Sequence, residues 1–278
     1  MLIKHIRPVI NSTPKEWLRA LNGGDGRLTF AETIKLRSMP RFQPGHPRFL
    51  GGKVESVDSA SFLYMCKKLF AEEIYRFRSA TDHPYILDCG SNIGLSILYF
   101  KRLYPAAEII GFEPDPAIHA CLERNVRTFG HSGVTLFRKG VWSSATTLTF
   151  SQEGADGGRI GDRGLGDQRT VSIETVRLRG FLDRPVAFLK IDIEGAEGEV
   201  LRDCRDRLNT VHRLFVEFHS FQDRPQDLES ILAWLSEAGL RYYVQTTGTV
   251  SRRPFLDREI SAGMDMQLNI YAYRTDSA

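Results

Sequence analysis

The chain of 278 residues lacks any apolar run approaching the roughly 18 residues a membrane-spanning helix requires, so no span is expected. Residues 1–8 also lack the extended apolar stretch and small-residue cleavage site of a signal peptide. Cysteine is scarce. Cys66, Cys89, Cys121 and Cys204 stand far apart with no CxxC pair, which argues against a zinc site and against a disulfide framework. A reduced, cytoplasmic protein is the expectation. Charge of one sign is lacking too: 37 Lys and Arg stand against 34 Asp and Glu, a net +3, and no DNA partner is expected from so small an excess. What is present is 42% hydrophobic and 26% charged residues, the profile of a globular protein long enough to bury one large core.

The first eighty residues read differently from the rest. A glycine turn cluster at 22–26 and an irregular stretch at 40–47 precede one helical pattern at 59–77, where Phe62, Cys66, Leu69, Phe70 and Ile74 share a face. Residues 1–80 are expected to form a cap or lid on a main domain at 81–278. There, apolar strands at 85–88, 108–113, 134–141, 186–192 and 214–218 alternate with helices at 95–104, 116–129, 196–208 and 226–238. Strands that are apolar throughout are buried on both faces, so the fold class is α/β with a mostly parallel sheet. Segments at 242–246 and 268–273, with no helix between them, predict an antiparallel edge hairpin, and 146–150 a further edge strand. Residues 151–169, rich in Gly and Asp, predict a mobile loop.

Chemistry concentrates where strands end. Asp88-Cys89-Gly90-Ser91-Asn92-Ile93-Gly94 turns the first strand into the first helix, with Gly90 for the tight turn and Gly94 for close packing. The spacing is GxxxG rather than the GxGxxG of a dinucleotide site, which opposes an NAD-type oxidoreductase. Asp88 is expected to face this crevice, where a carboxylate would accept from an ammonium group. Glu113 ends the next strand, where an acid can accept from both hydroxyls of a ribose. Trp142, after Gly140 and Val141, is a candidate platform for an adenine. Glu73 and Tyr75 are minor candidates for closing over the cofactor.

Three runs carry a family resemblance: 86–94, the Gly-Phe-Glu-Pro run at 111–114, and Lys190-Ile191-Asp192-Ile193-Glu194-Gly195-Ala196-Glu197. Together with 216–219 they resemble the FkbM family of S-adenosylmethionine-dependent methyltransferases, over about residues 70–245. The resemblance implies a Rossmann-like class I methyltransferase fold of seven strands. It implies S-adenosylmethionine as cofactor, bound by Asp88, Gly90, Ser91, Asn92, Gly94, Glu113, Trp142 and Asp192. It also implies O-methylation of a small-molecule or glycan acceptor.

Asp192, Glu194, Glu217 and His219 crowd two adjacent strand ends and form the expected catalytic set. Methyl transfer to an alcohol needs an aligned oxygen and a group to take its proton, a task for a carboxylate or histidine. Acids on two strands would alternatively hold Mg²⁺, with Asp192 and Glu217 as ligands and His219 as a further candidate. Glu194 and Glu197 also suit the N-terminus of the following helix. An RNA 2′-O-methyltransferase and a non-catalytic nucleotide-binding module of the same fold stay open as alternatives. A homo-oligomer is compatible with the sequence.

Overall fold

The computed structural model describes residues 26–155, 157–161, 169–248 and 250–275. The turn cluster at 22–25, the rest of the first 25 residues and 162–168 of the glycine-rich stretch lie outside the described residues. The cap opens with helix α1 (Phe30–Ser38), whose first turn is closed by Thr29 Oγ1 accepting from Glu32 N, and a hairpin of β1 (Arg48–Phe49) and β2 (Gly52–Lys53). Helix α2 (Ser59–Cys66) is capped by Asp58 but stops well short of residue 77. A π-turn at Lys67–Ala71 follows, and Glu73 sits at φ 52°, which breaks the helix. The break lets Tyr75 turn inward onto Phe100, Phe188 and Phe215.

The main domain continues with β3 (Tyr85–Cys89), α3 (Leu95–Leu103), β4 (Glu108–Phe112), α4 (Pro116–Thr128) and β5 (Val134–Phe137). Next come β6 (Gly140–Trp142), β7 (Thr147–Gln152), β8 (Arg159–Ile160) and β9 (Arg169–Arg177). The chain then returns through β10 (Phe188–Ile191), α5 (Glu197–Cys204), β11 (Arg213–Phe221), α6 (Leu228–Glu237), β12 (Arg241–Thr246) and β13 (Met264–Tyr273). Seven strands form one sheet in the order β12-β13-β11-β10-β3-β4-β5. All neighbours from β5 to β11 are parallel, and β13 runs antiparallel between β11 and β12. This is the predicted parallel sheet with its edge hairpin.

Every residue of β3 is buried, because helices cover both faces of the sheet. One face packs β10 and β11 against α5 and α6 through Val200, Leu201, Ile231 and Leu235. The other holds α3, α4 and the cap in a single apolar cluster, where Phe49 and Phe62 join Ile97, Tyr99 and Leu122. Residues 26–80 therefore share a core with the sheet. No described helix is long and apolar enough to cross a membrane.

Three further expectations are corrected. The strand at 134–141 is two strands in different sheets, since β6 leaves the main sheet to pair with β9. The glycine-rich stretch contributes β8, which joins β7, β9 and β6 in a second, four-stranded sheet. The helix at 196–208 is likewise shorter, giving way after Cys204 to a 3₁₀ turn.

Candidate active site

The chain leaves β3 toward β4 and β5, then returns to place β10 on the other side of β3. Loops after β3 and β10 therefore diverge and open a crevice, where ligands bind in open α/β sheets. A cavity of about 480 Å³ lies there. The loop after β3 forms one wall. Gly90 has φ +83°, and a Cβ on it would stand 1.9 Å from Asp192 O, so only glycine lets the two loops pass. Gly94, at φ +91°, would press a Cβ onto Leu122 of α4; it serves helix packing and does not line the cavity.

Gly90, Ser91, Asn92, Glu113 and Asp192 all border the cavity. Glu113 is fixed on both oxygens: Oε2 accepts from Asn92 N and Oε1 from Asp115 N, each at 3.0 Å. Each oxygen keeps a further lone pair for a hydroxyl donor. Burial pushes the carboxyl up to about 7, aided by the charge of Asp115 and opposed by the two amides. Asn92 Nδ2 donates to Ala155 O at 3.0 Å, tying the loop to the second sheet, whose Phe150 and Arg159 close the cavity from above.

Asp88 does not face the crevice, contrary to expectation. It is fully buried beneath the loop, with Oδ2 accepting from Ser96 Oγ at 2.5 Å and Oδ1 3.4 Å from Lys190 Nζ. Trp142 also turns away. Successive strand residues point to opposite faces, so Val141 borders the cavity and Trp142 lines a separate groove with Trp234. Of the minor pair, Tyr75 lines the cavity while Glu73 pairs with Arg76 at the surface.

Sequence reasoning missed Lys190. Its ammonium lies 3.2 Å from Asp192 and donates to Gly90 O at 2.7 Å, clamping both loops. Burial pulls its pKa down, but the charges of Asp192 and Asp88 hold it above the ordinary value. The signal was available: a lysine inside an otherwise apolar strand needs buried partners. Gln267 and Asn269 were missed as well, although two polar residues at alternate positions of an apolar strand mark one face.

Glu194 and Glu217 line the far end of the cavity. Glu194 adopts φ 54°, followed by Gly195 at φ 93°, a left-handed turn that a non-glycine residue enters only at a cost. Glu217 Oε1 accepts from Gln267 Nε2 at 2.7 Å. Burial raises both carboxyls, with Asp192 adding its charge and His219 opposing. His219 does not line the cavity. It sits behind Glu194, with Nε2 3.5 Å from Glu194 Oε1 and Nδ1 3.0 Å from Glu197 Oε1. Burial pulls its pKa down, and the acids on both sides carry it well above the usual value. The metal expectation named Asp192 and Glu217. Among the described residues, the three donor groups that converge within 4.8 Å are Asp192, Glu194 and His219. Glu217 lies outside that set.

The strand order, with its single antiparallel strand next to the edge and its crevice at the switch point, defines a class I methyltransferase fold. The Methyltransferase FkbM domain matches residues 88–242, more than half of the chain. The chain belongs to the FkbM methyltransferase family. Methyltransferase sdnD of Sordaria araneosa is 33% identical over 178 residues, covering 51% of this chain and 68% of that protein. Hexuronic acid methyltransferase AglP of Haloferax volcanii is 28% identical over 179 residues, covering 58% and 72%. A crystal structure of Methyltransferase FkbM from Methylobacillus flagellatus aligns at TM-score 0.46 and 19% identity, over 73% of this chain and 46% of that one.

Proposed function

We propose that this chain is an S-adenosylmethionine-dependent O-methyltransferase acting on a hydroxyl of a sugar, glycan or small natural product. One observation carries the reading: a single cavity joins the 90–92 loop and Glu113 to Asp192, Glu194 and Glu217. The cofactor's ribose would lie on Glu113 and its methionine end along the 90–92 loop. When bound, the cofactor would supply an electrophilic methyl group to the acceptor oxygen, and the hydroxyl proton would be left for the protein to take.

Glu194 takes that proton as general base, and Asp192 and Glu217 orient the acceptor. A sugar acceptor accords with the name of the Haloferax relative. We assign no metal to the reaction: the Lys190 ammonium already stands beside Asp192, and a set containing an imidazole departs from the oxygen shell Mg²⁺ takes. Dialysis against EDTA should leave S-adenosylhomocysteine affinity unchanged, and a loss restored by Mg²⁺ would reverse this assignment. Residues 26–80 act as the cap, with Tyr64, Met65 and Tyr75 forming the acceptor side of the cavity.

Calorimetry with S-adenosylhomocysteine, and NAD as control, tests the cofactor. Removing the carboxylate that accepts from the ribose in Glu113→Ala should weaken binding by at least about 10–100-fold, the worth of one charge-assisted hydrogen bond. The pH dependence has a definite sign. Hydroxyl donors favour the ionised carboxylate, so binding lowers the pKa of Glu113 from its free value of about 7. Affinity should be full above pH 7 and fall as pH drops through it, and Glu113→Ala should flatten the profile. Equal binding by variant and wild type would remove the ribose assignment.

A further inference from the structure

Asn269 of β13 borders the reaction cavity and is 4% exposed, yet its Oδ1 meets no donor among the described residues. The other end of the amide donates through Nδ2 to Tyr271 Oη at 3.4 Å. Turning the amide end for end exchanges the two atoms: Tyr271 then donates to Oδ1, and Nδ2 becomes the group left over. A buried polar group without a partner costs free energy, and one on a cavity wall marks where a ligand completes the hydrogen bonding. A hydroxyl both donates and accepts, so it satisfies this amide in either setting. An ammonium suits only the first setting and a carboxylate only the second.

The neighbouring strand shows what stands beside that hydroxyl. The register of β11 and β13 seats Glu217 opposite Asn269, with Phe215 opposite Tyr271 on one side and His219 opposite Gln267 on the other. Facing residues share a side of the sheet, with Cβ atoms about 5 Å apart. The rings of Phe215 and Tyr271 are in contact at 5.3 Å, so this side of the sheet changes from aromatic to polar at the Glu217–Asn269 pair. Glu217 Oε1 accepts from Gln267 Nε2 at 2.7 Å, which fixes the carboxyl next to the amide. Both residues border the cavity, and the cap adds Tyr64 and Met65 to it, apolar surface suited to the C–H face of a ring.

We infer that the methyl acceptor is a vicinal diol of a sugar ring, with Glu217 holding the hydroxyl that is methylated and Asn269 holding the hydroxyl beside it. This rests on the reading of the cavity as an O-methyltransferase site. Asp192 and Glu217 alone would orient any alcohol. Asn269 separates a ring diol from a phenol or an isolated alcohol, because an acceptor without the neighbouring hydroxyl leaves the amide unpaired. Asn269 is therefore a specificity-determining residue.

The test is NMR of nitrogen-15-labelled full-length protein saturated with S-adenosylhomocysteine. The side-chain amide of Asn269 is identified by its absence from Asn269→Leu. The probes are the methyl pyranosides of glucose, galactose and mannose, which carry adjacent ring hydroxyls, and tetrahydropyran-4-ol, which carries one hydroxyl on a similar ring. At least one glycoside should shift the Asn269 resonance saturably, and tetrahydropyran-4-ol should not. Affinity for that glycoside should fall by about 10–100-fold in Asn269→Leu, the effect of losing a hydrogen bond in a buried site. Leu keeps the approximate shape of Asn and removes an unpaired buried group, so the variant should melt no lower than the wild type. A resonance that none of the glycosides moves, or that tetrahydropyran-4-ol moves as far, overturns the inference. So does a variant that melts lower but keeps its glycoside affinity, which would make the amide a folding element. If Asn269→Leu does not fold, Asn269→Asp supplies the assignment and the wild-type titration decides. Failure of S-adenosylhomocysteine to bind the wild type would count against the cofactor reading, whereas bound S-adenosylhomocysteine with an unmoved amide counts against this inference alone.

Discussion

Replacing Glu194 by Gln is expected to lower kcat by roughly 10²–10⁴-fold, the usual contribution of a positioned base. Binding of S-adenosylhomocysteine should change by no more than about threefold, because the amide keeps the shape of the side chain and contacts no cofactor group assigned above. The pH profile gives a second readout. Burial pushes the Glu194 carboxyl up to about 8, so the ionised base becomes fully available only as pH climbs past neutrality. Wild-type kcat should therefore rise with pH through that region, and the residual activity of Glu194→Gln should not. A variant that keeps its rate and its pH dependence would move the base to Asp192 or Glu217, which border the same cavity.

The second large effect concerns stability. Lys190→Met removes the ammonium that stands between Asp88 and Asp192 and leaves two carboxylates in or beside the core without their cation. Asp88 Oδ1 has no hydrogen bond among the described residues, so the ion pair is its compensation. Breaking a buried pair from one side costs about 3–5 kcal/mol. Urea titration should show that loss, and Lys190→Met combined with Asp88→Asn should recover a substantial part. Cofactor affinity should fall as well, because Lys190 Nζ also donates to Gly90 O and so holds the cofactor loop closed on β10. Full stability in the single variant would mean that the two acids are neutral or hydrated.

The parallel strands were legible because their environment leaves a simple mark: burial on both faces excludes polar residues from segments such as 86–87 and 188–189. Five residues of the cavity wall, Gly90 to Asn92, Glu113 and Asp192, were legible as strand-end residues for a related reason, since a parallel sheet brings every carboxyl strand end to one side. Side-chain direction was not. Asp88 turns inward because a lysine from a distant strand meets it there, and no local pattern announces that pairing. Trp142 faces away because residues 138–139 interrupt the strand and restart the alternation in another sheet. His219 stands behind Glu194 instead of beside it, a consequence of the register that seats it opposite Gln267 of β13. The second sheet escaped notice because β8 is two residues long and glycines surround it.

The place of β13 has a consequence for how the enzyme comes into being. It is the last of the described strands, yet it lies inside the sheet between β11 and β12 and supplies Gln267 and Asn269 to the cavity wall. Chains emerge from the ribosome at about 5–20 residues per second, and the earlier segments fold first. The wall built by the loops after β3 and β10 can thus assemble on a nascent chain before β13 adds its own. Until β13 inserts, β11 presents an unpaired edge, so the pairing of β13 covers that edge and completes the cavity wall together.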